Sequence, residues 1–493
     1  MNSGKVFFSI FLMTVISASA QNIRGKVIDE ETQLAIPYAA IQVNDNSGTI
    51  TNEEGYFSFD LDDASTSVII ISCIGYQSLT VPVTAMADEL ATFSLSPAAI
   101  ALNEVFIQNK MPTAEEIIRE VNKALPTNYN SNNERYQMFY RGTSYMDFNN
   151  LDLTITKATG VSKKQLSLAS AKLDSLTHTI MTSKIMEFND YSGDILLKNK
   201  DTAKIAISKA TKLIDSKKDF SIDNIQERAQ NIMLQYLDTS LTYRLKTGLF
   251  KIEDSLSLNQ EKSEKETANE YSISNIQSGV LGSLKQGQFY DDAFMNKILD
   301  PELYRYSFID ASYLDGSYIY VVSFRPRKAK SKFSGTLYIS ANDYAILKAD
   351  YAYSEGKEGA KFNLKLLLGI KFIENINKGT IIFKKTPEGN YFPYYINVQR
   401  GNYVYVKRPL KFIENSSDKY KVSCDFLLEG GSREKQELLI LNTQVLSDNA
   451  FKEFQEPDKI PFTLLDKFEP TIWQNSQIIE PLEEMKNFSL STN

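Results

Sequence analysis

YRYSFIDASYLDGSYIYVVSF, residues Tyr304 to Phe324, decides how this chain folds. Tyr304, Tyr306 and Phe308 alternate with polar partners, Leu314-Asp315-Gly316-Ser317 supplies hairpin turn chemistry, and the chain returns through Tyr318, Tyr320, Val322 and Phe324. The period of two then persists. Runs over 335–340, 344–353, 361–372, 380–384, 391–400, 403–412, 420–428 and 436–445 read as further strands, with Thr386-Pro387-Glu388-Gly389-Asn390 as the turn before 391–400 and Arg400-Gly401-Asn402 as the turn after it. The expectation for 301–450 is a large antiparallel meander. Tyr318-Ile319-Tyr320-Val321-Val322 is apolar on both faces, so the sheet needs cover on both: helices on one side, and a second layer, a curled barrel wall or a ligand on the other.

Upstream, 113–300 reads as a helix-rich segment with some strands that packs with the meander. Thr113 with Glu116 three residues on is a capping box, Ile117, Val121 and Leu125 make one apolar face, and Pro126 is the expected stop. Tyr136 to Tyr145 is extended. Ala203 to Leu213 and Asp223 to Leu237 have helical spacing, the second with Ile225, Ala229, Ile232 and Tyr236 along one side. The polar, mixed-charge stretch 259–266 reads as a solvated loop or exposed helix. Downstream, 451–493 is a C-terminal extension.

At the other end, Lys5, the apolar run Val6 to Ile16 and Ala18-Ser19-Ala20 have the layout of a secretory signal peptide, with cleavage expected between Ala20 and Gln21. The apolar run is too short to span a bilayer, and no later run approaches that length. No cysteine follows Ala20, so a lipoprotein anchor is not expected. From 22 to 107 short strands recur between turn signals: Ile23, Gly25 and Val27 alternate with Arg24 and Lys26, and further runs are 38–43, 56–59, 68–72 and 91–95. These suggest an antiparallel β-sandwich. Gly48 and Gly55 carry the turns, with Asn52 placed to hydrogen-bond the backbone two residues on. Residues 108–112 read as a linker.

Ile23-Arg24-Gly25-Lys26-Val27, Ile36-Pro37-Tyr38-Ala39, Gly48 to Phe57 and Ile71 to Tyr76 together resemble the carboxypeptidase regulatory-like domain, a transthyretin-like sandwich, over roughly 22–107. Asn52 stands where Asp is more usual in that family. The resemblance implies the setting in which such modules occur, ahead of outer-membrane receptors and envelope proteins of the Bacteroidetes. It implies no carboxypeptidase activity, since a zinc site of that kind needs two histidines. The tail, Phe468-Glu469-Pro470, Trp473 and Ile478 to Glu483, resembles the ending of Bacteroidetes envelope proteins that combine such a module with a helix and a sheet. The sheet region resembles half-barrel carriers of lipoproteins and lipids at the level of fold alone.

The composition narrows the chemistry. With 54 Lys+Arg against 61 Asp+Glu the net charge is -7, which argues against a nucleic-acid partner. His178 is the sole histidine, which removes Ser-His-Asp triads, Cys-His dyads and the common zinc sites, and it reads as a surface or hydrogen-bonded residue. Cys73 and Cys424 read as separate buried thiols. Oxygens at Asp45/Asn46 and 52–54 do not fit a calcium loop, paired acids at 53–54, 115–116 and 291–292 define no cleft, and no phosphate loop or nucleophile elbow is present. No catalytic residue, metal or cofactor is expected. Tyr391, Pro393 and Tyr395 are expected on one strand face, and Tyr403 and Tyr405 on the next strand across a turn. Such aromatics ordinarily stabilise a sheet; the sharper reading makes Tyr391, Tyr395, Tyr403 and Tyr405 an apolar ligand pocket. The function expected is an exported, non-catalytic envelope module, periplasmic or at the outer membrane, binding an apolar ligand, lipid, glycan or outer-membrane protein. An integral outer-membrane β-barrel or receptor and a hydrolase are the alternatives. Lys348 and Asp350, expected on the face of Ile346, and the lack of a terminal aromatic speak against the barrel.

Overall fold

The computed structural model describes residues 21–44, 47–61, 68–82, 90–98, 112–129, 132–183, 185–215, 240–248, 250–257, 269–474 and 476–488, with 228, 229, 231, 232, 234 and 235 between. The signal segment through Ala20, the 108–111 stretch of the linker and the Asp45/Asn46 pair lie outside these residues.

The N-terminal strands are β1 (Gln21–Asp29), β2 (Ala40–Asn44), β3 (Ser47–Ile50), β4 (Tyr56–Leu61), β5 (Val68–Ser72), β6 (Leu79–Pro82) and β7 (Ala91–Leu95). They form two sheets, β4-β1-β7 and β3-β2-β5-β6. Alternation along each strand turns Ile23, Val27, Phe57, Phe59, Phe93 and Leu95 from one sheet toward Ile41, Val43, Ile69, Ile71 and Val81 from the other, and this shared core is the sandwich. The pairing of β1 with β7 is parallel, so the sandwich is mixed where an antiparallel one was expected. Gly48 is a strand residue opposite Gln42 and not a turn.

The rest of the chain builds on one 14-stranded sheet. Its members are β8 (Glu134–Ala158), β9 (Ile185–Asn199), β10 (Thr202–Ile214), β11 (Thr242–Thr247), β12 (Phe250–Ser257), β14 (Tyr304–Leu314), β15 (Ser317–Pro326), β16 (Phe333–Ser340), β17 (Ile346–Tyr353), β18 (Lys361–Leu364), β19 (Ile370–Lys385), β20 (Tyr391–Glu414), β21 (Lys421–Val445) and β23 (Thr463–Leu465); β13 (Glu270–Ser272) and β22 (Lys459–Pro461) pair separately. The order runs β14-β15-β16-β17-β19-β20-β21-β8-β9-β10-β23, and β14 and β23 do not pair, so the sheet is open and not a closed barrel. The expected hairpin at Asp315-Gly316 forms, both residues at positive φ. The long-range join is β21 with β8, antiparallel from Glu134↔Val445 to Ala158↔Val422.

One face is covered by helices: α1 (Ala114–Asn128), α3 (Ile273–Leu284) and α4 (Phe294–Ile298), while α2 (Lys163–Thr182) packs farther along β8. The α1 capping box forms between Thr113 and Glu116. Ile117, Ile118 and Val121 are buried in the core between helices and sheet, α1 lying against β14, each side chain contributing about 1.5–3 kcal/mol. Pro126 lies inside α1 and does not stop it. Asn128 at the far end donates to Asp343 O at 2.9 Å.

Several expectations fail for one shared reason, a β-bulge. Ala203 to Leu213 is not a helix but most of β10; a bulge at Ser208 makes the positions on the helix side step 203, 205, 207, 210, and that three-residue step mimics helical spacing. A bulge at Leu347 puts Lys348 and Asp350 on the face opposite Ile346. Two expected boundaries also change. Lys361 to Phe372 is broken by a helical turn at Lys365–Leu368. Arg400-Gly401-Asn402 is no turn: β20 runs through it, Gly401 accommodating Ile376 and the Ser432 carbonyl, which an added Cβ would meet at 3.0 and 3.1 Å. In the stretch 223–237, residues 228, 229, 231, 232 and 234 are helical, whereas Ile225 and Tyr236 lie outside the described residues.

The cover on the second face is the sandwich itself, together with the C-terminal tail. On β8 and β21, Met138, Tyr140, Leu438 and Ile440 face the helices, while Phe139, Leu439 and Leu441 face Ile50, Trp473, Ile478 and Ile479. Farther along the sheet, Gly75 N donates to Tyr313 O at 3.1 Å and Ser78 hydrogen-bonds Asp315.

Candidate functional site

The seam between sandwich, sheet and tail gathers four of the buried charged residues among those described, Arg141, Asp190, Lys435 and Glu437. It starts at the turn Asn52-Glu53-Glu54-Gly55. Asn52 Oδ1 accepts from the backbone N–H of Glu54 and of Tyr56, both at 2.9 Å, and Gly55 takes φ +78, where a Cβ would also meet Val27 O at 2.6 Å. The Asn52 amide Nδ2 donates to Glu480 O at 3.1 Å and Pro481 O at 3.3 Å. One side chain therefore builds the turn with its oxygen and grips the tail with its nitrogen. The residue that departs from the family's usual Asp is the one whose amide hydrogens the tail requires, since a carboxylate has no donor to offer two carbonyls.

That turn aims Glu53 at the sheet. Its Oε1 accepts from Tyr38 Oη at 3.0 Å, Gln399 Nε2 at 3.2 Å and Asn397 Nδ2 at 3.3 Å, and stands 3.0 Å from Lys435 Nζ. Lys435 also pairs with Glu437 Oε2 at 3.2 Å, and Glu437 accepts from Tyr395 Oη at 2.8 Å. The Tyr38 and Tyr395 rings meet at 5.1 Å. Burial by itself would pull the Lys435 ammonium down, but Glu437 and Glu53 outweigh it and the net direction is up. Burial likewise raises the Glu53 carboxyl, and Lys435 reverses this to a net lowering. Both phenols are pushed well above the ordinary tyrosine value, first by burial and then by the neighbouring carboxylates. The chain Tyr38-Glu53-Lys435-Glu437-Tyr395 is thus a continuous girder in which Lys435 pairs with both carboxylates and each carboxylate accepts from a phenol.

Above Lys435 the seam opens into a cleft of about 240 Å³ lined by Glu53, Gln399, Lys435, Arg433, Tyr145, Leu482 and Glu484. The Arg433 guanidinium lies over the Tyr145 ring, 4.2 Å from its centroid, and Tyr145 hydrogen-bonds Glu484. Two cations, two carboxylates and an amide therefore face one small space. Beside it, Arg141 and Asp190 form a buried two-point pair at 2.8 and 2.7 Å, and Arg141 Nη1 donates to Ile479 O at 3.0 Å, fixing the tail. Burial would lower the Arg141 guanidinium, but Asp190 outweighs it and the direction is up.

The four expected tyrosines do not form a pocket. A bulge at Tyr394 reverses the alternation of β20, so Tyr391 faces the helices with Tyr129 and Phe383, whereas Tyr395 faces the seam. Tyr403 and Tyr405 lie farther along the same strand, half-buried, Tyr403 donating to Glu429 Oε1 at 2.6 Å. Gln21 opens β1, paired with Leu61. His178 is exposed on α2. Burial pushes the Cys73 thiol up to about 11 and the Cys424 thiol up to about 12, so both stay protonated at neutral pH. No three His, Cys, Asp or Glu side chains cluster as metal ligands among the described residues. Sequence reasoning missed Tyr145, Gln399, Arg433, Lys435, Glu437 and Glu484, which come from distant strands and the tail; the one available signal was Lys435 and Glu437 on a common strand face.

No curated protein matches the chain. Among solved structures, a DUF1329 family protein from Desulfovibrio piger is similar at 11% identity, over 69% of this chain and 96% of that one, with a TM-score of 0.18. Residues 23–107 match the family described as CarboxypepD_reg-like domain. That match and the two-sheet sandwich together place a CarboxypepD_reg-like domain at the N-terminus of this chain.

Proposed function

We propose that this protein is an exported, non-catalytic binding module of the cell envelope that holds a polar ligand, a glycan, in the seam cleft. The signal-like first twenty residues support export, and among the described residues no helix is long and apolar enough to cross a membrane. The observation that carries the reading is the cleft itself: Arg433 and Lys435 as donors, Glu53 and Glu484 as acceptors and Gln399 as both converge from three separate parts of the chain. Such alternating donors and acceptors suit vicinal hydroxyl groups better than an apolar molecule, which would leave buried charges unsolvated. The girder beneath holds the cleft in shape before a ligand arrives.

The test is binding of the purified mature chain to an array of bacterial polysaccharides, beside mass spectrometry of material extracted with the native protein. Arg433→Ala is expected to weaken retention of the bound glycan about tenfold or more, the loss of one charge-assisted contact. A hydrolytic turnover abolished by Glu53→Gln or Glu484→Gln would replace the reading with a hydrolase. N-terminal sequencing of the secreted protein is expected to begin at Gln21.

A further inference from the structure

We infer that the β18–β19 hairpin tip docks on the surface of a lipid bilayer carrying anionic headgroups. The inference stands independently of what the seam cleft holds. Strands β18 and β19 pair from Lys361↔Ile373 to Leu364↔Ile370, and the helical turn Lys365–Leu368 closes them. At this tip Leu366 is 101% exposed, Leu367 82% and Phe362 49%, and Leu364 is exposed as well. A soluble surface seldom groups four large apolar side chains in this way.

The tip is held rigidly. Gly369, at φ +66, donates to Lys365 O at 3.0 Å; Lys407 N donates to Gly369 O at 2.7 Å, and Arg408 Nη1 donates to Leu368 O at 2.7 Å. The leucines are thus presented outward by a braced turn rather than left out by a loose one.

Charge identifies the occupant. The protein carries -7 overall, yet Lys361 to Phe372 contains Lys361, Lys365 and Lys371 and no acid, and the adjoining Tyr403 to Lys411 contains Lys407, Arg408 and Lys411 and no acid. Of the carboxylates around the tip, Glu358 pairs with Lys361 at 2.9 Å, Glu374 accepts from Tyr353 at 2.8 Å and Glu429 accepts from Tyr403, while Asp425 stands opposite Pro409 toward the far end of the basic run. Lys365 Nζ lies 3.9 Å from the Tyr405 ring centroid and Lys371 Nζ 5.3 Å from that of Tyr403. An aliphatic tip, tyrosines behind it and a collar of lysines is the order of chemistries met on passing from acyl chains through the interface to anionic headgroups. A recess of about 350 Å³ lined by Asn363, Lys365, Lys371 and the leucines lies at the same tip and is sized for a headgroup.

The test is co-sedimentation of the mature chain with phosphatidylcholine vesicles, with and without phosphatidylglycerol. The wild type is expected to sediment with the phosphatidylglycerol vesicles, less so as salt rises. L366D/L367D is expected to bind at least about tenfold more weakly, since two apolar side chains no longer enter the interface. K365E/K371E is expected to abolish the preference for anionic vesicles. Leu366, Leu367 and Lys365 are exposed and Lys371 is half-buried over the Tyr403 ring, so L366D/L367D is expected to melt as the wild type does and K365E/K371E within a few degrees of it, which separates docking from misfolding. Absence of wild-type binding, or equal binding by L366D/L367D, overturns the inference. So does a concentration-dependent self-association that L366D/L367D removes while vesicle binding persists, which would make the tip a contact between copies.

Discussion

Asn52 shows how much one side chain settles in this molecule. Asn52→Asp keeps the oxygen that builds the turn but removes the donor and sets a carboxylate against the Glu480 and Pro481 carbonyls. The expected loss is about 1–3 kcal/mol, the penalty for unsatisfied buried polar groups, read from urea unfolding. Arg141→Ala is expected to lose more, about 3–5 kcal/mol, because it strands Asp190 in the interior. Glu134 gives the pH dependence. Burial, and then Glu388, raises its carboxyl from 4.5 to about 7. The folded state therefore favours the protonated form, so this contribution to stability is full below 4.5 and is lost as pH rises through about 7. Glu134→Gln is expected to match the wild type in melting temperature at the acid end and to exceed it above pH 7; the reverse order would sink the assignment. Glu53 runs the other way: its depressed carboxyl contributes stability above the ordinary carboxylate range, lost as pH falls below it.

Among the elements, α1 was legible in full at its start and misjudged at its end. The capping box is a local reciprocal pair that sequence spacing defines, and Thr113→Ala is expected to cost about 1 kcal/mol in thermal unfolding. Pro126 sits in the last turn, where the packing of Asn128 and Tyr129 against the 343–346 segment holds the helix past it. The strands tell a similar story. Periodicity located β14 to β17 and β19 to β21, but bulges at Ser208, Leu347 and Tyr394 reversed which face the following residues occupy. A bulge depends on how two strands accommodate one another, so a single strand's alternation cannot announce it. That is why the expected tyrosine pocket dissolved while Tyr395 alone reached the seam.

Taken whole, sandwich, sheet and tail share one buried face, and Trp473 reports on it. It is the chain's single tryptophan, buried edge-on against Phe139 at 5.5 Å, with Lys209 over its ring. Its emission and far-UV circular dichroism are expected to melt together, as one cooperative unit would require; a fluorescence change well below the main transition would mean that the tail detaches alone. Proteolysis between 107 and 112 is accordingly expected to nick the chain without separating the sandwich in gel filtration. The cleft is a property of this scale, since Glu53, Arg433 and Glu484 meet only when all three parts are in place.

By itself the sequence determined the local matters: the sandwich strands and the resemblance of 22–107, the helix cap, the hairpin at Asp315-Gly316 and the exclusion of imidazole chemistry. Each of these rests on residues within a few positions of one another, or on composition. It also required a cover for a sheet apolar on both faces without naming the cover. Only the tertiary structure decided that the cover is the sandwich with the tail, that β8 joins β21 across nearly three hundred residues of chain, and that Glu53 finds Lys435. Those pairings are settled by complementarity between distant surfaces, where burial of apolar area and the need to partner every buried charge select one arrangement, and no local pattern encodes which surface will meet which.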